Sequence, residues 1–402
     1  MPGSVTARTL GGLELLATDG GETVDGDDAR AEPRIVEVAI NKWLADGGQH
    51  LFPARGGTST ITLRALSVRP QCALYVGTVG GGSGVSTLVA KVRGHGPSWR
   101  GDLQSRGRPR LRRGSATASE LTTLEYGGLR NIYTTFGMSH PEFGVVRPLG
   151  HLVEESTILM DYVEASTLRE VFMAESRLRL SSRSALRTEA TRDVWRRAGA
   201  WLRMFHQSTS EQSAPASQSN RQDVIDLFHA YHDFLSTRLG TRAVGDIARR
   251  GAVLAASVLP EQLPLVVGHG DYAPRNMFVS SRGRLSVFDP MPRWKIPCYE
   301  DVCRFLVALR LLGLQVHTHG AAYSQHELER RESDVIAAYF APDAAPLDQL
   351  RCYQLLILLD KWSAVIDSSN QGWRPRLQTA SMRLASGYLR RQAQRLIELS
   401  HS

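Results

Sequence analysis

Residues 263–290, LPLVVGHGDYAPRNMFVSSRGRLSVFDP, contain three short apolar segments separated by polar turns. The apolar segments are residues 265–267, 277–279 and 285–288. Short apolar runs bounded by turn residues are typical of buried strands. Three such strands are expected to bring the polar residues beside them to one place: Asp271, Asn276 and Asp289.

The spacing H-G-D-x4-N, with an aspartate at the end of the third apolar segment, has a chemical rationale. Phosphoryl transfer needs oxygen ligands for a divalent metal and a carboxylate that orients or deprotonates the acceptor hydroxyl. Asn276 and Asp289 would supply the metal ligands, and Asp271 would be the base. Taken singly, Asp271 could cap a loop and Asp289 could form a turn before Pro290. Their order and context favour the catalytic interpretation.

A lysine lies within an apolar strand in the N-terminal half. Residues 57–93 alternate between apolar or β-branched runs and turns, which predicts an antiparallel three-stranded meander. Lys91 is in the last strand, and its ammonium is expected to have a partner because burying an unpaired charge is costly. Taken alone, this residue fits an outward-facing strand lysine equally well.

The glycine-rich run at residues 80–84 directly precedes the lysine strand. Only one strand fits between this run and Lys91, so the run is interpreted as a hairpin turn and not as a phosphate cradle. A loop that covers nucleotide phosphates is expected one hairpin earlier, at residues 67–72, although that segment lacks the glycine pattern.

A helix and a connector complete the N-terminal half. Thr117 and Glu120 have capping-box spacing, which predicts a helix from there to about residue 136. Glu125 lies beside the apolar face of this helix and either reaches the strand lysine or is a surface glutamate. Residues 144–163 predict two strands around a turn. The second strand, residues 158–163, suits a connector between two lobes, although a buried edge strand would look similar.

The rest of the chain shows helical periodicity. Helices are predicted near residues 194–206, 224–239, 244–259, 301–314, 327–340, 347–366 and 376–397. Residues 207–220 are poor in apolar side chains and are interpreted as an exposed loop. Residues 1–33 are rich in Gly, Asp and Glu and are interpreted as a mobile leader.

The composition narrows the possible partners and location. The 402 residues carry a formal net charge of +8, but only four of the 48 basic residues are lysine. Such an arginine bias is often compositional, so without a recognition motif we expect no nucleic-acid partner. The arginine-rich segment 93–113 is interpreted as a solvated linker, with partner or substrate contact as the alternative.

The four cysteines show no metal-binding spacing, which is typical of reduced thiols. No apolar run reaches the roughly 20 residues that span a bilayer. We therefore expect a cytoplasmic protein without a membrane partner, and the sequence leaves its oligomeric state open.

Together these motifs resemble the aminoglycoside phosphotransferase and choline kinase-like superfamily of small-molecule kinases. The matching pieces are Lys91 in TLVAKV, Glu125 in LEYGGL, the connector ILMDYV, HGDYAPRN at 269–276 and VFDP at 287–290. HGDYAPRN is the most specific of them. The resemblance implies an α+β, bilobal protein-kinase-like fold, with an N-terminal antiparallel sheet lobe and a mostly helical C-terminal lobe.

The resemblance also implies how the chain is divided. After the mobile leader at 1–33, residues 34–163 would form the N-terminal nucleotide-binding lobe with its connector. Residues 164–402 would form the C-terminal helical lobe, which holds the catalytic loop and the acceptor site.

The resemblance implies a role for each matching residue. Lys91 would pair with the phosphates of ATP and would be positioned by Glu125. Asp271 would be the catalytic base, and Asn276 and Asp289 would hold Mg²⁺.

The remaining roles concern adenine and the loop framework. The adenine would lie against the connector at Met160, Asp161 and Val163. His269 would buttress the catalytic loop, and the acidic pair Glu300 and Asp301 would open the next helix in a structural role.

Departures from protein kinases favour a small-molecule acceptor. The chain has HGD where protein kinases carry HRD and Asp-Pro where they carry Asp-Phe-Gly, and the interval between Asp289 and Asp301 is too short for a long peptide-binding segment. We therefore expect transfer of the γ-phosphate of ATP to a hydroxyl of a sugar, an aminoglycoside-like compound or an amino alcohol. The main alternative is a catalytically inactive, nucleotide-binding interaction module; a protein kinase is a third possibility.

Overall fold

The computed structural model describes residues 31–51, 60–69, 72–80, 86–94, 107–111, 116–137, 140–176, 193–210, 212–368 and 375–400. Several predicted features lie outside these ranges. They are most of the leader at 1–33, the centre of the segment 67–72, the glycine run after Gly80 and most of the arginine-rich segment 93–113.

The N-terminal lobe is built on a five-stranded antiparallel sheet with the strand order β1-β2-β3-β6-β5. Its strands are β1 (Thr60–Arg69), β2 (Cys72–Gly80), β3 (Ser86–Arg93), β5 (Pro148–Leu152) and β6 (Thr157–Asp161). The first three strands are the predicted meander, and β2 and β3 pair antiparallel, as expected for a hairpin that contains the glycine run.

The two faces of β3 serve different purposes, because successive side chains of a strand point to opposite faces. Leu88, Ala90 and Val92 are buried in a core to which helix α1 (Ala31–Ala45) contributes apolar side chains. Lys91 and Arg93 therefore lie on the other face. Helix α2 (Ala118–Phe136), which begins at the predicted capping box, contacts β3 on that face.

The C-terminal lobe is mostly helical, which confirms the predicted fold class. Its helices are α3 (Leu168–Ala174), α4 (Val194–Ser208), α5 (Arg221–Leu239), α6 (Thr241–Val258), α7 (Tyr299–Leu311), α8 (Gln325–Phe340), α9 (Leu347–Ser368) and α10 (Pro375–Leu399). A large apolar core joins them to α2 through Leu129 and Ile132. Within the described residues, no helix is long and apolar enough to span a membrane.

Small sheets hold the stretch 263–290 in place. Its three predicted strands are present as β8 (Leu265–Val267), β9 (Met277–Val279) and β10 (Leu285–Val287). Strands β9 and β10 pair with each other and with β7 (Ser166–Thr167) and β4 (Phe143–Val145), whereas β8 pairs with β11 (Lys295–Pro297). The sequence does not predict β7 or β11, because Ser-Thr and Lys-Ile-Pro contain no apolar run, and it does not separate β4 from the strand predicted to begin at residue 144.

Two predictions of solvent-exposed segments need correction at particular residues. Most described residues of the loop 207–220 are exposed or half-buried, as predicted, whereas residues 107–111 of the linker are mostly buried or half-buried. In the loop 207–220, Gln218 is buried, and its Nε2 donates a hydrogen bond to the backbone oxygen of Leu111. Leu111, from the supposed linker, belongs to the core of the C-terminal lobe. Arg108 donates to the backbone oxygen of Asp360 at 3.2 Å. A polar composition suggested exposure, but polar side chains also become buried where they donate hydrogen bonds to backbone oxygens.

Candidate active site

The predicted catalytic loop leaves β8 and includes a 3₁₀ turn, Pro274–Asn276. Asn276 Nδ2 donates hydrogen bonds to the backbone oxygen of Asp271 at 2.8 Å and to its Oδ2 at 3.0 Å. These two bonds hold the Asp271 carboxylate in one orientation. The H-G-D-x4-N spacing thus has a direct geometric meaning, because the asparagine folds back on the aspartate.

Arg275 is a member of this loop that the sequence reasoning did not single out. Its Nη2 donates to both carboxylate oxygens of Asp271, at 2.6 Å to Oδ2. Burial alone would raise the pKa of Asp271, but the charge of Arg275 and its hydrogen bonds lower the pKa below the usual range. The spacing of four residues between the two could have indicated this ion pair.

Asp289 follows β10 and has a left-handed backbone, with φ of 63°. Aspartate is among the few side chains that tolerate this conformation. Its Oδ1 accepts hydrogen bonds from Lys91 and, at 3.2 Å, from Nη2 of Arg93. Burial alone would raise the pKa of Asp289, but these two cations lower it well below its usual range. The carboxylate is therefore charged at neutral pH.

The structure brings Lys91 and Glu125 together. Lys91 Nζ donates to Glu125 Oε1 at 2.7 Å, and both side chains are buried. An outward-facing Lys91 and a surface Glu125 are therefore wrong interpretations. Burial and the charge of Arg93 act to lower the pKa of Lys91, but the carboxylates of Asp289 and Glu125 outweigh them and raise it.

Arg93 belongs to this charge cluster and not to a solvated linker. It is the last residue of β3, two positions after Lys91, so both side chains lie on one face of the strand. Its Nε and Nη2 donate to Glu125 Oε2 at 3.1 and 2.7 Å. Arg93 therefore occupies one glutamate oxygen while Lys91 occupies the other. The two-residue spacing was the sequence signal that could have identified it.

The predicted adenine-binding residues lie at the end of β6, the strand next to β3. Met160 is buried and pairs with Val89, and Asp161 pairs with Leu88. Lys91 pairs with Ile158, so Met160 lies two positions, about 7 Å, further along the sheet. The connector then continues through half-buried Val163. Burial raises the pKa of Asp161.

Asp301, in the first turn of α7, holds the backbone of the catalytic loop through hydrogen bonds. It is fully buried, and its carboxylate accepts hydrogen bonds from the backbone N–H groups of His269 at 2.5 Å and Gly270 at 3.3 Å. His206 Nε2 lies 3.3 Å from the same carboxylate. Glu300, the neighbouring acid, is instead held by Arg304 at 2.8 Å. Because these hydrogen bonds fix the backbone at His269 and Gly270, they also fix the position of the next residue, Asp271.

The oxygen atoms of Asn276 and Asp289 suit a magnesium ion. Among the described residues, the amide oxygen of Asn276 accepts no hydrogen bond, and Oδ2 of Asp289 is not used by Lys91 or Arg93. Mg²⁺ prefers such oxygen ligands and is commonly held by one or two protein groups together with substrate phosphates. The proposed ligands are one asparagine and one aspartate. Within the residues that the structure describes, no cluster of three or more His, Cys, Asp or Glu side chains forms a metal site made of protein groups alone.

We expect Asp301→Asn to lower the free energy of unfolding by about 2–4 kcal/mol, because a buried hydrogen-bond network loses its negative charge and one of its two acceptor oxygens. Urea unfolding monitored by circular dichroism would measure the change. Asp334→Asn is the matched control, because Asp334 pairs with Arg330 on the surface of α8. The control should change the free energy by less than about 0.5 kcal/mol. Equal effects of the two substitutions would contradict the anchoring role.

His269 should make the stability of the fold depend on pH. Its ring is fully buried among aromatic side chains, and its nitrogens make no hydrogen bond within the described structure. Burial lowers the pKa of His269 below its ordinary value, and the charges of Asp301 and Asp271 offset only part of this effect. The unfolded chain therefore binds more protons than the folded chain below about pH 6.5.

The stability that the folded protein gains by keeping His269 neutral is fully present above about pH 6.5. It is lost as the pH falls towards the lower pKa of His269 in the folded state. We expect His269→Phe to reduce the decline in unfolding free energy between pH 7 and pH 5, by up to about 1.4 kcal/mol per pH unit. Urea unfolding at several pH values would measure it. His326→Asn, at an exposed histidine of α8, should leave the wild-type profile unchanged. A His269→Phe profile parallel to the wild type would refute the expectation.

The structure has an antiparallel sheet lobe and a helical lobe, and the charged cluster lies where the two lobes meet. This arrangement defines a protein-kinase-like phosphotransferase fold. Residues 147–332 match the family model APH, described as a phosphotransferase enzyme family. The match confirms the resemblance seen in the sequence and the predicted enzyme class, a phosphotransferase. It covers the loop with Asp271 and Asn276 but does not reach Lys91 or Glu125. No curated protein matches the chain by sequence.

Solved structures are similar to most of the chain. A thermostable mutant of aminoglycoside phosphotransferase APH(4)-Ia, in a ternary complex with AMP-PNP and hygromycin B, is 15% identical with a TM-score of 0.51, over 90% of this chain and 98% of that one. A choline/ethanolamine kinase family protein from Mesorhizobium loti is 14% identical with a TM-score of 0.48, over 91% and 99%. At this identity, the first likeness establishes the fold alone.

Proposed function

We propose that the protein transfers the γ-phosphate of ATP to a hydroxyl of a small molecule. The observation that carries this proposal is the contact of Lys91 with both Glu125 and Asp289. Lys91 and Asp289 are 198 positions apart in the sequence, yet they meet beside the loop that holds Asp271. A buried lysine, two carboxylates and an asparagine at one place are the groups that phosphoryl transfer requires.

The nucleotide would lie between the two lobes. Lys91, held by Glu125, binds phosphate oxygens, and the connector at 160–163 receives the adenine. Asn276 and Asp289 would hold Mg²⁺, which would neutralise phosphate charge. The proposed lobes are residues 34–163 and 164–402, with the leader at 1–33 preceding them, and the protein would act in the cytoplasm.

Asp271 faces the acceptor. Because its carboxylate is ionised at neutral pH, it can accept a hydrogen bond from the acceptor hydroxyl and direct that oxygen towards phosphorus. In the transfer, the bond from the γ-phosphorus to the β-phosphate oxygen breaks and a bond to the acceptor oxygen forms. The hydroxyl proton passes to Asp271, and ADP leaves.

The segment after Asp289 favours a small acceptor over a protein. Strand β11 follows within a few residues and pairs with β8, and α7 begins at Tyr299. This arrangement leaves little chain for a peptide-binding segment. Sugars, aminoglycoside-like compounds and amino alcohols are the candidate acceptors, and the phosphotransferase complex with hygromycin B has the same fold.

The test is acceptor-dependent release of ADP by the full chain with ATP and Mg²⁺, against a panel of hydroxyl-bearing metabolites and antibiotics. Turnover that depends on one class of acceptor would support the proposal. Binding of ATP without turnover of any acceptor would instead support the inactive interaction module.

A further inference from the structure

The connection between β1 and β2 offers few backbone donors for a phosphate. The two strands pair as far as Arg69 and Cys72, so only Pro70 and Gln71 connect them. Proline has no backbone N–H, which leaves the N–H of Gln71 as the one donor of this connection. The segment expected to cover the nucleotide phosphates therefore has only two residues outside the strand pairing. A phosphate that reaches this end of the sheet needs donors from other elements.

Arg93 lies at this end of the sheet, on the face that carries Lys91. It pairs with Cys72 across β2 and β3, two positions beyond Lys91. Nearer the start of β3, Leu88 pairs with Asp161 of the connector. Along β3, the level of the connector, Lys91 and Arg93 therefore follow one another, about 10 Å and then about 7 Å apart. A nucleotide that extends from the connector past Lys91 has Arg93 at its phosphate end.

Two cations and two carboxylates form a closed cluster at this place. Lys91 and Arg93 each contact both Glu125 and Asp289. The four charges balance, so no excess of charge attracts a ligand to them. What a ligand can use here is any N–H group that the two carboxylates leave free.

Arg93 has such N–H groups. A guanidinium carries five of them, one on Nε and two on each Nη. Nε and Nη2 donate to Glu125 Oε2 at 3.1 and 2.7 Å, and Nη2 also donates to Asp289 Oδ1 at 3.2 Å. Within the described part of the chain, no group accepts a hydrogen bond from Nη1. The side chain keeps 16% of its surface exposed, so a ligand can reach it.

The contact with Asp289 indicates which phosphate is near Arg93. Asp289 is a proposed ligand of Mg²⁺, and in kinases this ion bridges oxygens of the β- and γ-phosphates. The strand lysine of kinases binds the α- and β-phosphates. Because Arg93 contacts Asp289 and lies beyond Lys91 along the strand, its guanidinium is placed for the terminal phosphate.

We propose that Nη1 of Arg93 binds an oxygen of the terminal phosphate of ATP, while Nε and Nη2 stay on Glu125. This inference rests on the proposed phosphotransfer and adds to it a residue that touches the nucleotide. The planar guanidinium holds a carboxylate with one edge and offers a separate nitrogen to a phosphate. Arg93 thereby supplies a contact that the short connection between β1 and β2 does not, and it favours a nucleoside triphosphate over a diphosphate.

The test is calorimetric binding of AMP-PNP and of ADP to the full chain at saturating Mg²⁺. AMP-PNP carries a terminal phosphate, and ADP lacks it. We expect Arg93→Gln to lower the affinity for AMP-PNP by about tenfold, because a charged hydrogen bond is lost. The affinity for ADP should stay within about twofold. If Arg93 only positioned Glu125 and Lys91, both nucleotides would lose affinity alike, because Lys91 binds phosphates that both contain.

Arg93→Lys is a second variant that keeps a positive charge beside the buried Glu125. An ammonium is a single point charge and cannot hold the glutamate and a phosphate with separate nitrogens. The affinity for AMP-PNP should therefore also fall, by about threefold or more, with ADP unchanged. Urea unfolding would check that both variants are folded. Arg34→Gln is the matched control, because this exposed arginine belongs to α1, which packs on the opposite face of the sheet.

The control should keep the wild-type ratio of the two affinities. An unchanged ratio in folded Arg93→Gln or Arg93→Lys would overturn this inference and leave the phosphotransfer proposal standing. A wild-type protein that binds neither AMP-PNP nor ADP would instead overturn both.

Discussion

Replacing Asp271 with asparagine is expected to lower kcat by about 10²–10⁴-fold, the usual contribution of a positioned general base. Asparagine keeps the shape of the side chain but cannot take the hydroxyl proton. Acceptor-dependent ADP release at saturating ATP would measure the loss. Binding of the nucleotide should change little, because the loop carbonyl that receives Asn276 is retained.

The control for this experiment is Asp233→Asn, because Asp233 is an exposed carboxylate of α5 that pairs with His232. Both variants should unfold cooperatively at a similar urea concentration. A folded Asp271→Asn enzyme with wild-type kcat would show that another group receives the proton.

Asp289→Asn is the second substitution with a large expected effect. It removes the charge that faces Lys91 and Arg93, together with one proposed ligand of Mg²⁺. Asparagine also tolerates the left-handed backbone at this position, so the change tests the charge and not the turn. We expect kcat to fall by at least about 10²-fold, as when one group that stabilises developing charge is lost.

The same variant should respond differently to magnesium. In the wild-type protein, ATP affinity measured by calorimetry should rise when Mg²⁺ is added. In Asp289→Asn this gain should disappear, while ATP without metal should still bind to Lys91 and Arg93. Asp348→Asn is a suitable control, because Asp348 pairs with Arg351 on the surface of α9. An unchanged response of Asp289→Asn to Mg²⁺ would remove this residue from the metal site.

Local patterns in the sequence were sufficient for much of the fold. The strands of the meander, the capping box of α2 and most helices were predicted because hydrophobic periodicity and capping residues act over a few neighbouring positions. The match over residues 147–332 confirms the family resemblance that HGDYAPRN indicated. Strands β7 and β11 and the buried segment with Leu111 were missed, because longer-range packing determines them.

For the candidate site, the sequence alone determined the chemical groups and their order along the chain: Asp271 and Asn276 in one loop, Asp289 at the next strand end, and Lys91 in a distant strand. Tertiary structure decided which of them touch. Only the tertiary packing of α2, β3 and the chain after β10 places Glu125 and Asp289 on Lys91 and adds Arg93. Contacts between residues far apart in sequence depend on how whole elements bury their apolar faces, and no local spacing encodes that arrangement.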